Sequence, residues 1–301
     1  MKFVTKLVIT ILLFVLIFRN IDFGVTFEVA SKVNGKALAM ALFLLICSSC
    51  TAAFRWSIIM KQIGFKEPFS FYLQSYFKGA FFNQGLPTSI GGDGLRILDT
   101  ARIAENKEDA FNGVLIDRIV GLGGLLLLNM TALLQNRTLL PLQVYHPLLV
   151  IIVLSLIGLV ALFFLHHIEL LSRIKLLGYL NRLSQRYASI YSSINAISIQ
   201  VTLSVLTHLF AMSAFFILGH GVGLMYPLQT YLALVPPVIL LTILPISLAG
   251  WGIREGAMVG FFVLIGADKA SVLSLSILYG ILALAASLPG LFVFLAQRQR
   301  I

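Results

Sequence analysis

Charge is what this chain has least of. Only 11% of its 301 residues are Asp, Glu, Lys or Arg, where a soluble domain carries about 25%. The mean hydropathy is +0.97. Apolar segments and short connections account for nearly the whole chain, so no soluble domain is left over and any activity resides in the membrane part. Cysteine is almost absent. Cys47 and Cys50 lie inside an apolar run, where lipid burial disfavours the exposed thiolate that redox chemistry needs; they read as small residues for helix packing. Catalytic signatures are missing too: there is no His-x-x-Glu-His pattern, no Gly-x-Ser-x-Gly elbow and no Walker loop. His166-His167 has no third ligand nearby and reads as a pair at a helix end. No catalytic, metal or cofactor-binding set is assigned. Without an ATP site, any transport is passive or ion-coupled unless a partner supplies energy.

Acidic residues are the scarcer sign, 12 against 22 Lys and Arg. The resulting +10 is not a nucleic-acid signature. The basic residues sit in loops beside apolar runs, where they set orientation and meet anionic lipid headgroups.

What the chain does have is a repeat. Leu86-Pro87-Thr88-Ser89-Ile90-Gly91-Gly92-Asp93-Gly94-Leu95-Arg96 returns as Leu244-Pro245-Ile246-Ser247-Leu248-Ala249-Gly250-Trp251-Gly252-Ile253-Arg254. The Leu, Pro, Ser, two Gly and Arg are identical, about half a chain apart. Matching Pro/Gly breaks in the two halves of an apolar chain mark a transporter-like duplication and point to a binding site near the midplane.

A spanning helix needs about 20 apolar residues. Six segments qualify: 3–18 (short), 37–60, 111–134, 147–165, 196–219 and 270–296. The first resembles a signal sequence, but no small-x-small site follows it, so it reads as an uncleaved span. Two further regions, 69–104 and 228–266, are broken around 87–94 and 245–256. Their arms are too short to cross alone and suit re-entrant hairpins. The expected fold is an all-α polytopic membrane protein of about six full spans plus two broken hairpins. Lys and Arg place the linker 166–193, with Arg173, Lys175, Arg182 and Arg186, in the cytoplasm, together with both termini and Lys61, Lys66 and Lys78. The loop 220–227 has neither and goes outside. The linker 19–36 fits least well, since it must lie outside yet carries Arg19, Lys32 and Lys36. The two hairpins then enter from opposite sides, and residues 1–137 and 138–301 form an inverted repeat. Residues 168–190 read as an amphipathic helix at the inner interface or as a solvated linker.

The blocks Asn83-Gln84-Gly85-Leu86-Pro87 to Arg96, Asp117-Arg118-Ile119-Val120-Gly121, and Pro245 to Gly256 resemble the flippase-like membrane family that includes the transmembrane region of lysylphosphatidylglycerol synthases. The resemblance covers essentially the whole chain. It implies movement of modified lipids across the bilayer. No aminoacyl-transferase domain follows in these residues, so it implies no lysyl transfer. The family often has Glu where Asp93 stands and Arg near Tyr279, where this chain has Gly280; the second half then lacks a partner matching Arg118.

A charge near the membrane centre costs about 2.5–3.5 kcal/mol on insertion scales and normally faces protein, water or a partner. Arg96 and Arg254 therefore either grip a lipid phosphate bidentately or snorkel to the interface. Gly92, Gly94, Gly250 and Gly252 would let the backbone approach the headgroup, with helix N-terminal amides aimed at the same anion. Asp93 and Glu255 pair with these arginines or carry a coupling proton. Asp117 can reach Arg96, or Arg118 can reach Asp93, tying hairpin to helix; direct substrate contact is the other option. Asn83 caps a helix or touches the headgroup. Arg55 reads as snorkelling and His208 as a hydrogen-bonded core histidine. The leading expectation is a translocase of the bacterial-type inner membrane for an anionic or polyprenyl-phosphate-linked lipid. An accessory subunit of a separate synthase, or a membrane-embedded lipid-modifying enzyme, stands beside it.

Overall fold

Apolar segments of this length fold as helices because hydrocarbon offers the backbone no other hydrogen-bond partner. The computed structural model describes residues 3–85, 91–168, 175–191 and 193–298. Its helices are α1 Phe3–Asn20, α2 Phe23–Ser31, α3 Gly35–Ile63, α4 Phe69–Gly85, α5 Gly91–Ala101, α6 Lys107–Gln135, α7 Leu142–Phe164, α8 Lys175–Ile190, α9 Ile194–Gly221, α10 Leu228–Ile243, α11 Ile253–Val263, α12 Lys269–Ser287 and α13 Pro289–Arg298. No strand occurs among the described residues. Among the described residues five stretches are long and apolar enough to cross a membrane, or six if α1 and α2 are one bent span; α12 and α13 together make the last of the five.

Local sequence sets the boundaries. Asn34, Asn106, Ser193 and Asp268 cap the helices that follow them, each satisfying an otherwise orphaned amide. Gly64 ends α3 in the left-handed conformation, with φ 111°, as a helix C-terminus favours.

The N-terminal linker 19–36 holds a helix of its own, α2. Asp22 accepts hydrogen bonds from the amides of Gly24 (2.7 Å) and Val25 (3.2 Å) and starts α2, which turns 90° from α1. The cap residue carries that turn, and span counting does not register it.

Both broken regions are antiparallel helix pairs. In the first, Asn83 meets Gly92, Gly79 meets Arg96, and Ser75 and Lys78 meet Asp99 across α4 and α5. In the second, Tyr226 and Tyr231 pack on Phe262 across α10 and α11. The 11 residues of α5 and of α11 are about 16 Å long, well short of a hydrocarbon core of about 30 Å. The tip residues 86–90, including Pro87 and Ser89, lie outside the described residues.

The open ends of the two hairpins sit at opposite ends of α3. The first adjoins the C-terminal end, where Phe65 donates its amide to Met60 O. The second adjoins the C-terminal end of α9, which runs antiparallel to α3: Ser48 Oγ donates to Thr207 O, and Gly221 packs on Val33 just before α3 begins.

The linker helix α8 lies on protein. Its Leu183 and Ile190, with Tyr191, are buried against Ile59, Ile116 and Val120 of α3 and α6. Its basic edge pairs with the first turn of α6: Arg182 with Glu108 at 2.9 Å and Arg186 with Asp109 at 2.7 Å. Residues 169–174 of the expected amphipathic stretch lie outside the described residues. His166 accompanies α8, with its Nδ1 2.9 Å from Phe163 O and 3.1 Å from Ser184 Oγ.

Candidate functional site

The first hairpin places its charges against α6 and α3. Arg96, one turn after Asp93 on α5, puts Nη1 on Asp93 Oδ1 at 3.0 Å and Nη2 on Asp117 Oδ2 at 2.7 Å. Asp117 also takes Arg55 Nε at 2.9 Å on its other oxygen. Arg118, about 100° around α6 from Asp117, holds Asp93 bidentately, Nε at 2.6 Å and Nη2 at 2.8 Å. Both hairpin-to-helix contacts open in the sequence are thus made at once. Three guanidiniums face two carboxylates, leaving one surplus positive charge.

The cluster has an inner and an outer part. Arg96, Asp117 and Arg55 have side chains no more than 5% exposed, whereas that of Arg118 is 46% exposed. Arg96 does not snorkel. Its guanidinium carbon lies 4.1 Å from the Trp56 ring centroid and 4.9 Å from that of Tyr76, a cation–π arrangement. Arg55 is a correction. Read in the sequence as reaching for the interface, it points inward, bound to Asp117 and at 3.1 Å to Ser204 Oγ. A partner carboxylate in the interior outweighs the interface for a guanidinium that close to both.

The cleft beside Arg118 is small, about 30 Å³, and is lined by Tyr76, Gly79, Ala80, Asn83, Asp93, Arg96 and Arg118. Asn83 caps α5, its Oδ1 accepting from Gly92 N at 2.6 Å. Gly92 serves contact between backbones, since a Cβ there would overlap the Gly79 carbonyl; Gly94 faces open space.

Lys78 is a second charge, one that the sequence grouped with Lys61 and Lys66 on the cytoplasmic side. It is buried and paired with Asp99 at 2.6 Å, and it donates to Gln297 Oε1 on α13 at 2.9 Å. Its position nine residues into α4, on the face toward α5, was not evident from local composition.

The second break is built differently from the same letters. Ala249, Gly250 and Gly252 have positive φ, 49°, 81° and 84°, so the glycines serve the turn. Here the helix begins only at Ile253, whereas α5 already includes Gly91 to Gly94. Glu255 reaches back to Gly252 N at 2.6 Å and takes Arg254 at 2.6 Å. Arg254 lies 4.6 Å over the Trp251 ring and donates to Ser276 at 3.2 Å. That cluster is neutral. Among the described residues no hydrogen bond or ion pair joins Arg254 to the Arg96 cluster. At each break one backbone amide, Gly92 N in the first and Gly252 N in the second, is already taken by a protein oxygen.

Gly280 explains the missing arginine. A Cβ at that position would overlap Arg254 Nη2, so Arg254 occupies the space a larger residue would need. Gly280→Ala is expected to cost about 1–3 kcal/mol, as overpacking does, read as a lower unfolding temperature in mild detergent. An unchanged transition would show that Arg254 moves freely out of this position.

His208, in α9, has Nε2 2.8 Å from Gly121 O and is a core histidine.

An all-helical membrane bundle with two broken helix pairs and buried Arg–Asp networks defines a class of polytopic integral membrane proteins. The family described as the lysylphosphatidylglycerol synthase TM region matches residues 3–290, and the chain belongs to it. No curated protein gave a significant match.

Proposed function

We propose that this protein carries a lipid with an anionic, phosphate-bearing headgroup, phosphatidyl or polyprenyl-phosphate-linked, across a bacterial-type inner membrane. The observation that carries this reading is the half-exposed Arg118 guanidinium on a buried cluster with one surplus positive charge. Its Nε and Nη2 already hold Asp93, and the remaining guanidinium donors are what a phosphate oxygen would meet. Arg118, with Asn83 and Asp93 beside it, is the entry contact; Arg96, Asp117 and Arg55 hold it in place. Arg254, Glu255 and the glycines of the second break hold the second hairpin. The opposed open ends of the hairpins support an inverted repeat of 1–137 and 138–301, with both termini cytoplasmic.

Arg118→Gln tests the reading. The variant keeps the Arg96 contacts of Asp93 and Asp117, so it should fold. Mass spectrometry of lipids co-purifying in mild detergent is expected to show at least about tenfold less anionic lipid than wild type, as loss of a charged hydrogen bond of about 1.5–3 kcal/mol implies. The same bulk lipid on both proteins would sink the headgroup role and favour the accessory-subunit reading.

A further inference from the structure

A groove of about 300 Å³ runs between α1 and the second hairpin, with Leu13, Leu16 and Ile17 on one wall, Gly252, Gly256 and Gly260 on the other, and Lys269 at one end. The two walls run parallel: Leu13 packs on Gly252, and Ile17 comes nearest Gly256. They part toward Lys269. A Cβ on Gly252 would lie 2.8 Å from Leu13 Cβ and one on Gly256 would lie 4.0 Å from Ile17 Cδ1, whereas one on Gly260 would meet nothing within 4 Å. A glycine inside a helix costs roughly 0.5–1 kcal/mol relative to alanine, and in a membrane helix small residues serve close approach. No atom of the described residues makes that approach at Gly260, so the space it keeps is free for a ligand.

The groove is one leaflet deep. Its glycine wall from Gly252 to Gly260 is about 12 Å long, against about 15 Å for half of a hydrocarbon core. It starts at the second break and ends at Lys269, the first residue of α12. Leu12 and Leu16, on the α1 wall, are each 55% exposed, so the mouth faces hydrocarbon. Lys269 is the one polar side chain among the lining residues. It is exposed, and among the described residues no carboxylate pairs with it. The neighbouring Asp268 carboxylate accepts the Ser271 amide at 2.8 Å and caps α12. An apolar slot with a free ammonium at its interfacial end matches an anionic phospholipid, acyl chain below and phosphate above.

We infer that this groove seats one anionic phospholipid of the leaflet into which the second hairpin opens. One acyl chain lies along Gly256 and Gly260, and the phosphate meets Lys269. The seat is separate from the Arg118 cleft, which belongs to the first hairpin, and it does not rest on the carrier reading. A lipid held there fills the space between α1 and α11 and braces the second hairpin. Because Lys269 is exposed, the seat exchanges with bulk lipid and empties in detergent, so it is read in a bilayer.

Photocrosslinking of the wild-type protein in nanodiscs tests it without a substitution. Two lipids carry the same photoreactive acyl chain, one a phosphatidylglycerol and one a phosphatidylcholine, at equal mole fraction. Labelling is read by mass spectrometry of crosslinked peptides, with the lipid-facing helix α7 as internal control. Relative to α7, α1 and α11 are expected to take about fivefold more label from phosphatidylglycerol, the factor that about 1 kcal/mol for a lysine beside anionic lipid gives. Lys269→Gln is expected to abolish the preference. Gly260→Leu, whose side chain enters the groove, is expected to bring both helices down to the level of α7. Equal labelling by the two lipids overturns the seat, and so does a preference that survives either substitution. Arg118→Gln is expected to leave the preference unchanged, and its own lipid loss is read in detergent, so the two readings fail separately.

Discussion

Asp117→Ala is expected to be the most damaging single substitution in this protein. It removes one carboxylate and strands two guanidiniums, Arg55 and Arg96, whose side chains are 5% and 2% exposed. Breaking one buried pair costs about 3–5 kcal/mol, because the remaining charge is left uncompensated. Here two charges lose a partner, and only Arg96 retains one, through Asp93. Asp117→Asn keeps the shape but not the charge and is expected to lose nearly as much. Thermal unfolding in mild detergent, compared with an exposed cap variant such as Asp22→Ala at about 1 kcal/mol, checks the order. If Asp117→Ala melts within the range of the cap variant, the cluster contributes little to the fold.

Gly92→Ala is expected to follow it. The added methyl would overlap the Gly79 carbonyl and lie 2.9 Å from Asn83 Oδ1, so the two arms of the first hairpin must separate. Overpacking of this kind costs about 1–3 kcal/mol, and more where backbone is the obstacle. The shift also drags Asp93 and Arg96, which ride on the same short helix, away from α6. Lost stability and lost lipid are therefore expected together. Gly94→Ala is the control: nothing lies within 4 Å of the added Cβ, and replacing a helical glycine is neutral or stabilising by up to about 1 kcal/mol. Similar behaviour of the two variants would show that the hairpin arms are not in close register.

The hairpins were legible in the sequence because Pro and Gly interrupt the apolar runs where hydrocarbon tolerates no loose backbone. The ties of Asp93, Arg96, Asp117 and Arg118 were legible as possibilities, since each charge near the membrane centre needs a partner and few were available. The partner of Arg55 was not, because 62 positions separate it from Asp117 and nothing local distinguishes an inward guanidinium from one that reaches for the interface. The two copies of the break also look more alike as letters than as helices. One helix already includes Gly91 to Gly94 and the other starts only at Ile253, and the settings of Arg96 and Arg254 differ accordingly. The seat of α8 escaped for a related reason: its apolar stripe fits lipid or protein equally well, and only the acids at the start of α6 decide between them.

The ends of the chain cross over. α1 and α2 lie against the second hairpin and α12, through Thr10 to Leu248 at 2.9 Å and Thr26 to Ser274 at 2.7 Å. The last helix, α13, lies against α4, with Phe82 and Phe294 5.0 Å apart. The N-terminal helices thus clasp the second hairpin and the C-terminal helix the first. Moving either terminal helix away from the hairpin it covers would have to unfasten its clasp first.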